Sequence, residues 1–200
     1  MAEKKFDPAR AHLLDAPERE QYLPSARIVD ALALSGGELV VDYGAGTGRL
    51  TREVAARLHG GGRVLAVEEN DQMYALLSER LEGVEQARAL RIEHDRVPLP
   101  DGAVDRILAV NLLHEIRGDA ALAEMRRLLA DRGLLLVVDW ERGRPRTVGP
   151  PDELLYSADE AAAELRDAGF RTRALGLALP FHFAILAARD PAAAAQPDAA

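Results

Sequence analysis

Asp42-Tyr43-Gly44-Ala45-Gly46-Thr47-Gly48 is the stretch of this chain best equipped for chemistry. It follows an apolar run at residues 39–41 and precedes Leu50, Val54 and Leu58 at helical spacing. A strand feeding a glycine turn that opens a helix brings bare backbone close to a ligand. It also aims free N–H groups and the positive end of the helix at that ligand. Dinucleotide-binding turns read G-x-G-x-x-G, and their third glycine lets helix and strand pack closely. Here Arg49 stands where that glycine belongs, and Gly48 comes one position early.

Further polar residues recur where apolar runs end. Glu68 closes the run 64–67 and lies 20 residues beyond Gly48. A carboxylate about 20 residues on suits a ribose, because it accepts from both sugar hydroxyls and repels a 2′-phosphate. Glu69 is the competing acid. Met73 offers a soft thioether to a flat ring, or serves simply as core. Asn111, Leu112 and His114 end a fourth apolar run, and Asp139-Trp140 end a fifth. Open parallel sheets bind their ligands at such ends. His114 titrates near neutrality, so it suits a general base or a substrate-orienting donor, or else it is a surface histidine. Trp140, the only tryptophan, lines a pocket or plugs the sheet edge, and His182 beside Pro180 faces either pocket or core.

D-x-G-x-G-x-G at a strand end resembles motif I of the class I S-adenosylmethionine-dependent methyltransferases. That resemblance implies a doubly wound α/β sheet of seven strands in the order 3-2-1-4-5-7-6, the last antiparallel, with helices on both faces. It implies that Asp42, Gly44, Ala45, Gly46 and Gly48 seat the methionine end of the cofactor. Glu68 or Glu69 would then hold the ribose, Met73 would pack on adenine, and Asp95 with the N–H of Arg96 would read the adenine edge. Asn111 and Leu112 would border the methionine part. Asn-Leu-Leu-His departs from Asn-Pro-Pro-Tyr, the signature of enzymes acting on nucleobase amines or glutamine amides, which makes that subclass a poor match. Arg127-Leu128-Leu129 followed by Gly133-Leu134-Leu135-Leu136 resembles a passage common to small methyltransferases. The implied reaction is displacement at the sulfonium methyl, with His114 and then Asp139 as candidate catalytic groups. His114, Trp140 and His182 are the candidate substrate contacts. A catechol-type metal site needs a cluster of oxygen ligands that the chain does not display, and the absence of cysteine excludes the arsenite branch. Two rivals remain: a protein that binds the cofactor without transferring a methyl, and an NAD-binding oxidoreductase.

Length and charge bound the rest. A chain of 200 residues suits one α/β domain with a modest appendage. The net charge of −8 argues against a nucleic-acid or anionic-membrane surface. No apolar run reaches membrane-spanning length, and residues 1–10 hold no signal-peptide core, so a cytoplasmic protein, monomeric or homodimeric, with a small-molecule methyl acceptor is expected. Three units follow: an N-terminal helical cap over 1–37, the Rossmann-like domain over 38–188 and a disordered tail over 189–200. Within them, Pro17 and Pro24-Ser25 start helices, and Asn70 or Asp71 and Asp119 cap two more. Ser157 with Glu160 forms a capping box. Strands are expected at 63–68, 87–93, 104–110 and 134–138, with a closing hairpin of 170–177 and 181–188. The basic, glycine- and proline-broken stretch 141–151 is either a substrate lid or a flexible insertion.

Overall fold

A computed structural model describes residues 6–116 and 120–191. One seven-stranded sheet runs in the order β3-β2-β1-β4-β5-β7-β6. Its strands are β1 (Leu39–Tyr43), β2 (Arg63–Glu68), β3 (Ala87–Arg91), β4 (Val104–Val110), β5 (Leu129–Trp140), β6 (Phe170–Ala174) and β7 (His182–Arg189). β7 is antiparallel to both neighbours, and every other pairing is parallel. This is the order expected from the sequence. The central strands are buried on both faces, which is why residues 40–41, 107–109 and 134–138 read as unbroken apolar runs.

Among the described residues, two 3-10 segments, Pro8–Asp15 and Asp152–Leu154, and six α-helices accompany the sheet. The helices are α1 (Arg19–Tyr22), α2 (Ser25–Asp30), α3 (Arg49–Ala55), α4 (Asp71–Arg80), α5 (Ala120–Leu128) and α6 (Ala158–Asp167). On one face, Ile28, Val29, Val54 and Leu58 pack with Val40, Leu136 and Val138. On the other, Leu122, Met125, Ala161 and Leu165 pack with Ile107, Leu135 and Val137. Asn70 starts α4 by accepting from the N–H groups of Gln72 and Met73. Ser157 and Glu160 exchange side-chain and backbone bonds at the start of α6, the expected capping box.

Several boundaries differ from expectation. The segment Pro8–Asp15 forms a 3-10 helix that no apolar period announces, started by Asp7, whose Oδ1 accepts from Ala9 N–H. α3 ends at Ala55, before the expected stop near His59. β5 starts at Leu129, five residues before the expected 134. Val104 pairs with Leu129 and Arg106 with Leu134, so an irregularity of four unpaired residues interrupts that edge. β7 extends to Arg189, and Asp190 N–H donates to Gly169 O, so these two residues of the expected tail belong to the sheet's end. Asp119 as a helix cap, and residues 192–200, lie outside the described residues. No helix among the described residues is long and apolar enough to cross a membrane.

Candidate active site

The loop after β1 is built as a cradle. Gly44, Gly46 and Gly48 have φ of 74°, 57° and 77°, a region that penalises any side chain. Gly44 and Ala45 both donate to Val67 O, binding the loop to the end of β2. A Cβ on Gly44 would stand 2.8 Å from Leu112 Cδ1, so Leu112 borders the loop directly. A Cβ on Gly46 would meet Leu14 Cδ1 at 3.2 Å and Met73 Cε at 3.9 Å. The 3-10 segment thus lays Leu14 over Gly46, and Asp15 fixes it there. Asp15 Oδ1 accepts from the Thr47 hydroxyl at 2.7 Å, and its carboxylate pairs with Arg80. Arg49, the residue that breaks the dinucleotide spacing, pairs with Glu20 and donates to Leu23 O, tying the loop to α1.

Carboxylates surround this cradle. Asp42 is buried at the end of β1, where the Thr51 hydroxyl donates to it at 2.6 Å. Burial pushes its pKa up to about 6, the Thr51 bond opposes that, and the charge of Glu68 adds to it. Glu68 is aimed by three backbone donors: Gly46 at 3.2 Å, and Glu69 and Asn70 at 3.0 Å each. Burial raises its pKa above the usual range despite those three bonds. Met73 is buried beside the loop, while Glu69 is exposed. Asp95 sits at φ 58° beside His94 at 53°, and Tyr43 O–H donates to its carbonyl at 2.8 Å. The Arg96 N–H, expected to face adenine, donates to Glu93 O, and its guanidinium pairs with Glu124. At the end of β4, Asn111 has φ 55°, and its Oδ1 is buried without a partner among the described residues.

His114 and Asp139 meet, although 25 residues separate them. Asp139 Oδ1 lies 2.7 Å from His114 Nδ1, and Oδ2 accepts from the His114 backbone N–H at 3.0 Å. Asp139 also accepts from the Trp140 N–H, so its carboxylate is held at three points. Burial works to lower the His114 pKa, but the charge and hydrogen bond of Asp139, together with Glu115, outweigh it and raise it. His114 Nε2 stands 3.7 Å from Glu115 Oε1, and Phe6 N–H donates to the other oxygen of Glu115. Burial raises the Glu115 pKa, and the charges of Asp139 and Glu68 push the same way against His114 and Phe6. His114 also lines a cavity of about 420 Å³ bounded by Arg142, residues 153–156 and α6.

Trp140 and His182 face each other across the β5–β7 register. They join Tyr22 and Phe181 in an aromatic cluster, with Trp140 and His182 centroids 4.2 Å apart. His182 is therefore buried in a cluster at the sheet's C-terminal edge. Tyr22 and Phe181 carry no sequence signal as members of this cluster, because only the fold brings their segments together with Trp140.

The sheet order, the antiparallel seventh strand and a glycine cradle ringed by acids are those of the class I, Rossmann-like S-adenosylmethionine-dependent methyltransferases. Residues 40–133 match the family model described as a methyltransferase domain. The crystal structure of a SAM-dependent methyltransferase from Aquifex aeolicus superposes with a TM-score of 0.85 at 28% identity, covering 92% of this chain and 98% of that one. Human N-acetylserotonin methyltransferase in complex with SAM shares the fold at a TM-score of 0.70 and 19% identity, over 92% of this chain and 57% of that one. A ubiquinone/menaquinone biosynthesis C-methyltransferase of Bordetella avium is 36% identical over 108 residues, which is 53% of this chain and 42% of that protein. The chain thus spans less than half the length of the curated relatives of that name that it matches.

The residues present fit the cofactor of this class. A cradle open only to glycine, the unpartnered Asn111 Oδ1 and mutually repelling acids suit a molecule with a sulfonium, an ammonium and a ribose diol.

Proposed function

We propose that this protein transfers the methyl group of S-adenosylmethionine to a small organic acceptor, with His114 and Asp139 removing the acceptor's proton. The observation that carries this reading is the 2.7 Å contact between His114 Nδ1 and Asp139 Oδ1 at the end of β5. A carboxylate accepting from Nδ1–H fixes the tautomer whose Nε2 lone pair is free to take a proton. The cofactor, when bound, supplies an electrophilic methyl carbon. Gly44, Gly46, Asp42, Glu68, Met73, Asn111 and Leu112 would hold it, with Asp42 and Glu68 complementing its positive charge. Asp95 would read its adenine edge and Glu68 or Glu69 its ribose, while the Arg96 N–H donates to Glu93. The chain's own work is to align the acceptor, exclude water beneath Leu14 and the 3-10 segment, and accept the proton at His114 Nε2. The cavity beside His114 opens to solvent and gives that proton a way out.

Relatives named as C-methyltransferases place electron-rich ring carbons on the acceptor panel beside phenols and amines. The test is S-adenosylhomocysteine formation across that panel, paired with calorimetric titration of both cofactor forms. Turnover lost in His114→Gln with unchanged cofactor affinity supports the reading. Tight cofactor binding with no turnover on any acceptor would instead favour a cofactor-binding protein, and binding of NAD alone would overturn the proposal.

A further inference from the structure

His114 Nε2 and Glu115 Oε1 stand 3.7 Å apart, too far for a hydrogen bond. Neither atom has another partner among the described residues. Asp139 takes the opposite ring nitrogen, Nδ1, and the Phe6 N–H takes the other carboxylate oxygen, Oε2. The His114 side chain is 8% exposed and that of Glu115 19%, so bulk water does little for either atom. Polar atoms held back in this way call for a partner. With Nδ1–H given to Asp139, Nε2 carries a lone pair, and the gap lies between two acceptors. One atom about 2.9 Å from each fills it, provided that it carries two hydrogens. The nitrogen of a primary amine does. A hydroxyl satisfies one acceptor and leaves the other bare, and a ring carbon satisfies neither.

Charge around the gap points the same way. Asp139 and Glu68 both act on Glu115 through their charge, with His114 as the opposing group. Methyl transfer moves positive charge from sulfur to the accepting atom. A nitrogen beside Glu115 becomes cationic next to a carboxylate, whereas a phenolate would be brought up against one. The cavity that His114 lines leads to this pair, and it is acidic. Glu153, Glu160, Glu164 and Asp167 bound it, and its one guanidinium, Arg142, pairs with Glu160. Among the described residues Glu153, Glu164 and Asp167 have no ion pair within 4 Å, so the approach favours a cation over an anion.

We infer that the methyl acceptor is a primary amine whose nitrogen lies between His114 Nε2 and Glu115 Oε1, with Glu115 binding the reacting atom. The inference rests on the methyl-transfer reading for the reaction, and on the gap and its charge for the amine. The amine arrives as an ammonium, and one of its three protons is lost to water. Its two remaining N–H bonds donate to Nε2 and Oε1, which leaves the nitrogen lone pair free for the methyl carbon. That pair forms the N–C bond as the C–S bond breaks, and sulfur keeps the electron pair. The new methylammonium then gives one proton to His114 Nε2.

The full chain, saturated with S-adenosylhomocysteine, is titrated calorimetrically with benzylamine and with benzyl alcohol, which differ only in the amino and hydroxyl groups. The amine should bind about ten-fold more tightly, as a charge-assisted contact provides. Supplied with S-adenosylmethionine, the protein should methylate benzylamine in preference to phenol. Glu115→Gln keeps the shape and removes the charge, and should bring the two ligands to parity. Equal affinity of the two ligands for the unaltered chain overturns the inference and needs no variant that must fold. An amine preference that survives Glu115→Gln, in protein with unchanged thermal unfolding, overturns it as well. Turnover of phenols or ring carbons without turnover of amines would sink the amine and keep methyl transfer. Amine-selective binding without turnover of any acceptor would keep this site and sink methyl transfer.

Discussion

In the proposed reaction Asp139 is the residue on which the chemistry turns, because one carboxylate holds the His114 ring, the His114 backbone and the Trp140 backbone together. Asp139→Asn keeps the shape but presents an amide that can hold the wrong imidazole tautomer. Turnover should fall by about 10²- to 10⁴-fold, the usual share of a positioned base. In the unaltered enzyme, the rate should rise with pH through a limb set above the ordinary histidine pKa, since His114 acts as a base only when neutral and its pKa is raised. A pH–rate profile of both forms checks this, with the limb moving down in Asp139→Asn. Asp42 titrates with the opposite consequence for stability. Its folded pKa, about 6, lies above the ordinary 3.8, so its contribution to stability is fully present below pH 3.8 and is lost as pH rises through 6. Asp42→Asn should therefore stabilise the cofactor-free protein above pH 6 by up to about 3 kcal/mol, while weakening cofactor binding. Thermal unfolding and calorimetry at pH 5 and about pH 8 read both effects. The place of these residues at or just beyond strand ends was legible in the sequence because each follows an apolar run. Their pairing was not, since His114 and Asp139 come from different strands.

At the scale of elements, the cradle was readable because it is contiguous, with strand, glycines and helix falling within residues 39–55. The cover over it was not. Residues 8–15 show no helical period, since a 3-10 turn repeats every three residues, and the one local signal was Asp7 ahead of Pro8. That cover is tied down by Asp15 through Thr47 and Arg80. Asp15→Ala cuts both ties and should accelerate cofactor association and dissociation alike, as stopped-flow measurements would register. Gly46→Ala should reduce cofactor affinity with little loss of fold. The φ of 57° adds about 1 kcal/mol of strain, and the new methyl enters the space between Leu14 and Met73. At the far side, Ser157→Ala removes the capping box of α6 and should cost about 1 kcal/mol of stability, visible as a lower Tm.

For the molecule as a whole, acids converge on the mouth of the cradle in a chain already at −8. A cationic cofactor should be drawn in faster at low salt, and its association rate should fall as salt rises, whereas the uncharged-sulfur product should lose far less. The strand order followed from the motif's likeness to a known class. The aromatic cluster did not, because Tyr22, Trp140 and His182 are gathered from three distant segments. β5 carries one further implication. Val137 and Val138 face opposite cores, so Asp139 and Trp140 serve opposite sides of one strand end. The irregular residues between Leu129 and Leu134 therefore set the parity of the strand. A slip of that pairing by a single residue would turn the acid toward the aromatic rings and the indole toward the imidazole, exchanging the two compartments without altering any side chain in either.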